Sequence, residues 1–203
     1  MYADIQRVLI PHEQIQARVH DLARQITDDL LREQPATSAD ARTSDAAGTA
    51  DGPELTIVPI MTGAMIFASD LIRQIPIAMR IGLLMVSSYP GAAMSSQGSV
   101  LTTSQLPDLR GRHVLAVDDI LDSGGTLRLV VPRLRELGAV SVKTCVLLRK
   151  DREPARATPV DYVGFDIPDE FVVGYGLDYN NYYRNLPHIA ILHPDAVERR
   201  KNG

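Results

Sequence analysis

The stretch VLAVDDILDSGGTL, residues 114–127, decides the fold. It belongs to an apolar run, HVLAV (113–117), with the length and composition of a buried strand. The run ends directly in two carboxylates, Asp118 and Asp119, and a third, Asp122, follows after Ile120 and Leu121. Ser123, Gly124, Gly125 and Thr126 come next. They lead into a segment with Leu127, Val130, Val131, Leu134 and Leu137 on one side, which predicts a helix over 126–137. Successive strand side chains point to opposite faces, so Asp118 and Asp119 should diverge. The glycines let a ligand approach the backbone, and the free N–H groups of a helix start suit a phosphate. Ser123 and Thr126 add hydroxyl donors. Acids beside such a cradle repel an anion unless they meet hydroxyls, a magnesium ion or a proton to be moved, and a sugar phosphate presents such groups together. A plain helix cap by Asp122 or Ser123 accounts for one acid, not for three with two glycines.

Outward from this stretch, LTIVPI (55–60) and VKTCVLL (142–148) read as buried strands and IAMRIGLLMVSSY (77–89) as a strand region. Ala64–Ile75 reads as a helix, and Pro132 predicts a bend or a late start in the helix over 126–137. Strands alternating with helices predict an α/β protein with a mainly parallel sheet. Ligands in such sheets sit beyond the carboxyl ends of the strands, so the loops after Ile60, Val117 and Leu148 are the places for a site. Residues 12–34 carry Ile15, Val19, Leu22, Ile26 and Leu30 three or four apart among charges, one face of an amphipathic helix. Between Pro35 and Pro53 no side chain is more apolar than Ala apart from the prolines, which predicts a mobile surface insertion with no binding role.

Composition narrows the class. At roughly 100–200 residues per domain, 203 residues allow one domain with a sizeable core. Twenty-one basic against 25 acidic residues give a net charge of −4, which disfavours a free-standing nucleic-acid binder. The lone Cys145 rules out an intramolecular disulfide framework and points to a reducing compartment. The N-terminus does not read as a signal peptide, and no stretch reaches the roughly 20 apolar residues of a membrane helix, so the expected setting is the cytoplasm. No Walker A or dinucleotide-binding glycine motif is present. The five histidines form no His-Glu-x-x-His motif.

The 114–127 stretch resembles the phosphoribosyl-pyrophosphate motif of type I phosphoribosyltransferases. Segments 58–75, SSY (87–89), LLRKDRE (147–153) and above all VGFDIPDEFVVGYGLDYNNYYRNLP (163–187) are similar, in order and spacing, to the hypoxanthine-guanine members of that family. The resemblance implies a magnesium-dependent transfer in which hypoxanthine or guanine attacks C1′ of phosphoribosyl pyrophosphate and pyrophosphate leaves. It implies a single domain over 1–203, with a core over about 12–165 and a hood from about 1–11 and 166–203. It also implies a homodimer or homotetramer.

Residue by residue, the resemblance assigns Asp118 and Asp119 to the ribose hydroxyls, partly through magnesium, and Asp122 to the base near N7 as proton acceptor. Ser123, Gly124, Gly125 and Thr126 would cradle the 5′-phosphate, while Thr62, Gly63 and Arg184 would meet the pyrophosphate. Lys150 would donate to the purine O6 and Phe171 would stack on the ring. Val172 and Asp178 would read the C2 side through their backbone, with Asp178 also holding a second magnesium. Ser88 and Tyr89 would begin a lid. From residue types alone, Lys150 with Arg149 could equally be an exposed basic pair, Phe171 ordinary core, and Asp178 with Arg184 a surface ion pair.

Thr62 is a departure, since relatives commonly carry a lysine or arginine there, in a loop that often contains a cis peptide. Weaker affinity for pyrophosphate and its ester follows, without loss of activity. Asp118 for the commoner Glu is a milder change. Two other functions are open to the same motif: a regulator that senses phosphoribosyl pyrophosphate and binds nucleic acid, and a transferase for xanthine or another base. The sequence pI near 5.7 and the joint presence of Asp122, Lys150, Asp178 and Arg184 favour the purine enzyme over the regulator.

Overall fold

The computed structural model describes residues 1–33, 55–88 and 99–201. The chain begins with β1 (Ile5–Ile10) and α1 (His12–Glu33), then β2 (Leu55–Met61), α2 (Met65–Ile72), β3 (Met79–Ile81), β4 (Leu83–Ser88) and β5 (Ser99–Gln105). It continues through β6 (His113–Leu121), α3 (Gly125–Glu136), β7 (Ser141–Lys150), α4 (Glu153–Arg156) and β8 (Tyr162–Ile167). It closes with β9 (Val172–Val173), β10 (Ile189–Leu192) and α5 (Pro194–Lys201).

The main sheet runs β5-β4-β2-β6-β7-β8, with β3 also paired to β2, and every pairing is parallel except that of β4 with β5. A mainly parallel sheet must be covered on both faces. Alternation along β6 serves this: Leu115 and Val117 join the apolar layer under α1 and α2, while Val114 and Ala116 join the layer under α3. Ile15, Val19, Leu22, Ile26 and Leu30 of α1 are all buried, the face the helical spacing predicts. Leu127, Val130 and Leu134 do the same for α3. Truncating a fully buried leucine such as Leu22 to alanine costs about 2–5 kcal/mol.

Several boundaries differ from the sequence reading. The 77–89 region is two strands, broken at Gly82, whose N–H donates to the Ile57 carbonyl and whose Cβ position is filled by Leu106. The helix after the β2 loop spans Met65–Ile72 rather than Ala64–Ile75. The α3 helix does not start late: it opens at Gly125 and runs without interruption through Pro132 to Glu136. β5 escaped the reading because its Ser-, Thr- and Gln-rich composition looks like loop, yet its backbone pairs with β4 from Ser99 to Gln105. The 35–53 insertion and Tyr89 lie outside the described residues.

The two ends of the chain build a second, antiparallel sheet, β1-β10-β9. Tyr175, just past β9, ties it to the core: its buried ring sits at φ 49°, and its hydroxyl donates to Asp70 of α2 at 2.5 Å. Burial and the Asp70 carboxylate push the Tyr175 phenol up, so it remains a donor.

Candidate active site

The carboxyl end of β6 carries the acids on a strand that stays paired with β7 as far as Leu121. Asp118 is only 6% exposed, and its Oδ1 accepts the backbone N–H of Asp119 at 3.1 Å. Burial, then the neighbouring Asp119 carboxylate, push Asp118 well above the usual carboxylate range. Burial raises Asp119 as well, against hydrogen bonds from Asp118 and the Ile120 N–H and the charge of Arg184. Asp119 lies against the loop after β2: a Cβ on Gly63 would fall 1.8 Å from its Oδ2. The backbone of that loop carries a cis peptide between Met61 and Thr62, and the Thr62 side chain is exposed.

Beyond the strand, Gly124 stands at the cap of α3 with φ 75°, a left-handed turn that disfavours any residue with a Cβ. No side chain caps this helix, which removes the plain-cap reading of Asp122 or Ser123; Ser123 Oγ reaches only the Gly125 N–H, at 3.5 Å. The first N–H groups of α3 have no intrahelical acceptor, and that of Gly125 has only this long contact, the arrangement that suits an anion. Arg128 supports the turn from behind, donating to the Ser123 carbonyl at 2.7 Å and to Thr158 Oγ1 at 3.1 Å.

Asp122 faces the end of β7. Alternation sends Arg149 to Asp166, with Nε donating at 2.7 Å, and turns Lys150 inward to 12% exposure. This settles the basic pair as two residues on opposite faces. Lys150 Nζ lies 3.5 Å from Asp122 Oδ2 and 3.1 Å from Asp169 Oδ1, and Arg152 Nη1 donates to Asp122 Oδ1 at 2.9 Å. Neither Arg152 nor Asp169 was singled out by sequence. Arg152 stands within the LLRKDRE stretch, and its spacing of two from Lys150 was the available signal.

The second sheet and its loops supply the rest. Arg184 pairs with Asp178 Oδ1 at 2.7 Å and donates to the Gly176 carbonyl at 2.7 Å, while Asp178 Oδ2 accepts the Asn181 N–H at 2.8 Å. Phe171 is 54% exposed and meets the Tyr179 ring edge-on at 5.4 Å, so it is not core. Val172 is buried in β9 opposite Ile191. Ser88 ends β4 opposite Ser99. Among the described residues no three His, Cys, Asp or Glu side chains gather as a metal cluster. An acid pair, one member buried and one half-buried, with no cation in direct contact among the described residues fits magnesium, which binds through one or two carboxylates and takes its other ligands from substrate oxygens and water.

An acid-bearing strand end, a glycine turn opening a helix, and a second sheet closing over the strand ends define a type I phosphoribosyltransferase fold. The phosphoribosyl transferase domain model matches residues 11–180. The chain belongs to that family. It is 41% identical over 197 residues to the hypoxanthine-guanine phosphoribosyltransferase of Mycobacterium avium, covering 97% of this chain and 90% of that one. The Streptococcus pneumoniae enzyme of the same name is 36% identical, over 93% and 94% of the two chains. Among solved structures, a hypoxanthine phosphoribosyltransferase from Staphylococcus aureus superposes with TM-score 0.81 at 34% identity, over 96% of this chain and 95% of that one. The Trypanosoma cruzi enzyme in complex with the product IMP gives TM-score 0.83 at 29% identity, over 99% and 98%.

Proposed function

We propose that the chain is a purine-salvage transferase that joins hypoxanthine or guanine to phosphoribosyl pyrophosphate. The products are the nucleoside 5′-monophosphate and pyrophosphate. The observation that carries this reading is the division of the acids along one strand end. Asp118 is buried and Asp119 half-buried, neither with a cation in direct contact among the described residues, while Asp122 is held by Lys150 and Arg152 beside the glycine turn.

In the reaction the purine nitrogen forms a bond to C1′ as the C1′–oxygen bond to pyrophosphate breaks, and the purine releases a proton. Asp122 accepts that proton on the N7 side, and Lys150 donates to O6. Phe171 stacks on the ring, the backbone of Val172 and Asp178 reads the C2 edge, and Asp118 and Asp119 hold the ribose diol. The Ser123–Thr126 turn receives the 5′-phosphate with its N–H groups and hydroxyls, so positioning and charge complementarity do most of the work. Thr62 and Gly63 donate backbone N–H groups to the pyrophosphate, and Arg184 adds its charge. Asp118, Asp119 and Asp178 would hold magnesium, which when bound would supply positive charge to the pyrophosphate. Ser88, at the end of β4, would begin a lid over it. One domain spans the chain, with a hood from its two ends, acting in the cytoplasm as a homodimer or homotetramer. No described helix is long and apolar enough to cross a membrane.

The test is an assay with magnesium, phosphoribosyl pyrophosphate and each of hypoxanthine, guanine, xanthine, adenine and uracil. IMP and GMP are the expected products. No product from the first two bases overturns the reading.

A further inference from the structure

Asp122 and Lys150 are each other's partners before substrate arrives, which poses a problem for the transfer. When Lys150 turns to the purine O6, Asp122 gives up one of its cations just as it must receive a proton. The structure supplies two more charges at this point. Arg152 Nη1 donates to Asp122 Oδ1 at 2.9 Å, while Lys150 faces the other oxygen, Oδ2, at 3.5 Å. Asp169 sits 3.1 Å from Lys150 Nζ and 3.8 Å from Arg152 Nη1, closing a ring of two cations and two anions.

We infer that Arg152 is a positioning residue for the transfer step: it fixes Asp122 by Oδ1, leaves Oδ2 directed at the purine proton, and stays as its counter-charge when Lys150 is drawn to the base. Asp169 does the corresponding service for Lys150. The inference rests on the purine-transfer reading above. Arginine suits the task because its planar guanidinium holds a carboxylate in one orientation and keeps its charge. Arg152 is 39% and Asp122 47% exposed, so solvent screens the pair and it adds little to stability. Its contribution lies in geometry. The same β7–β8 connection touches the phosphate turn independently, through Thr158 against Gly124 and Arg128. That second contact offers a control.

The experiment measures single-turnover rates and KM for both substrates in the full chain, with magnesium, for Arg152→Met, Arg152→Lys and Thr158→Val. Arg152→Met should slow the single-turnover rate roughly 30- to 100-fold, the scale of a misplacement of about 1 Å. Its KM for phosphoribosyl pyrophosphate should stay within about twofold, and Arg152→Lys should recover most of the rate, as expected of a charge-assisted contact. Thr158→Val should instead raise that KM, with the rate within about threefold, because it loosens the phosphate turn. Arg152→Gln gives the same reading should Arg152→Met lose its fold. An unchanged rate in Arg152→Met, a lysine variant no better than the methionine one, or the same kinetic pattern from Thr158→Val overturns the inference. A wild-type chain that makes neither IMP nor GMP overturns the functional reading instead.

Discussion

Two groups of acids lie within one short segment of the chain, and they are treated in opposite ways. Asp118 is buried and Asp119 beside it half-buried, and both are pushed toward their neutral forms by loss of solvent and, for Asp118, by its neighbour. Asp122, three residues on, is half-exposed and sits with Asp169 in a ring with Lys150 and Arg152. The difference fits the two tasks proposed above. An acid pair with no cation in direct contact gains most from an incoming diol or cation, as the proposed binding role requires. An acid already paired with cations gains less from binding charge and is held in one orientation, as the proposed proton transfer requires.

The sharpest way to break that contrast is Asp122→Ala. If Asp122 is the proton acceptor, kcat should fall about 10²–10⁴-fold, with KM for phosphoribosyl pyrophosphate changed only a few-fold. A change confined to KM would place Asp122 with the binding pair instead. Next comes Gly124→Ala, which tests the turn that follows both groups at the start of α3. Its φ of 75° and a Cβ only 2.0 Å from Thr158 Oγ1 should lower stability. The expected cost is on the order of 2–4 kcal/mol, read as a fall in Tm, with weaker phosphoribosyl-pyrophosphate binding.

Asp118→Asn probes the uncompensated pair through pH. The folded-state pKa of Asp118 is raised, so the fold favours its neutral form. Its contribution to stability is fully present below the ordinary pKa of about 4 and is lost as pH rises through the folded value. At pH 7, without magnesium or substrate, Asp118→Asn should therefore raise Tm, by about 2–4 °C per kcal/mol relieved. The gain should disappear below about pH 4. A lower Tm at pH 7 would show that the ionised pair is compensated after all. The smallest effect is expected from Thr62→Lys, which adds a charge in the loop proposed to meet the pyrophosphate. A pair of charges near the surface is worth about 1 kcal/mol, so KM for phosphoribosyl pyrophosphate should fall roughly fivefold. Unchanged or weaker binding would show that the backbone donors already suffice.

What could be read from sequence divides along similar lines. The main sheet was legible because Leu115, Val117, Leu147 and their neighbours form short continuous apolar runs, and α1 because five residues repeat at helical spacing. The 118–126 turn was legible because acids, glycines and hydroxyls occur together within nine positions. The ring around Asp122 was not. Arg152 and Asp169 come from segments on either side of β8; the spacing of Arg152 from Lys150 is the one local hint, and nothing local marks Asp169. Arg128 and Thr158 were hidden for the same reason, being thirty residues apart. β5 shows the converse limit, because backbone pairing at a sheet edge can form without an apolar signature.

Gly63 and Gly176 carry a consequence for anyone who would redesign this protein. A Cβ on Gly176 would lie 2.1 Å from the Gly63 carbonyl, and one on Gly63 would lie 1.8 Å from Asp119. The spacing from the closing sheet to the loop is thus written in main-chain atoms, and no rotamer change can widen it. Room for a bulkier leaving group has to come from shifting the whole β1-β10-β9 layer, for example by shortening the side chain of Tyr175 where that layer is anchored to Asp70.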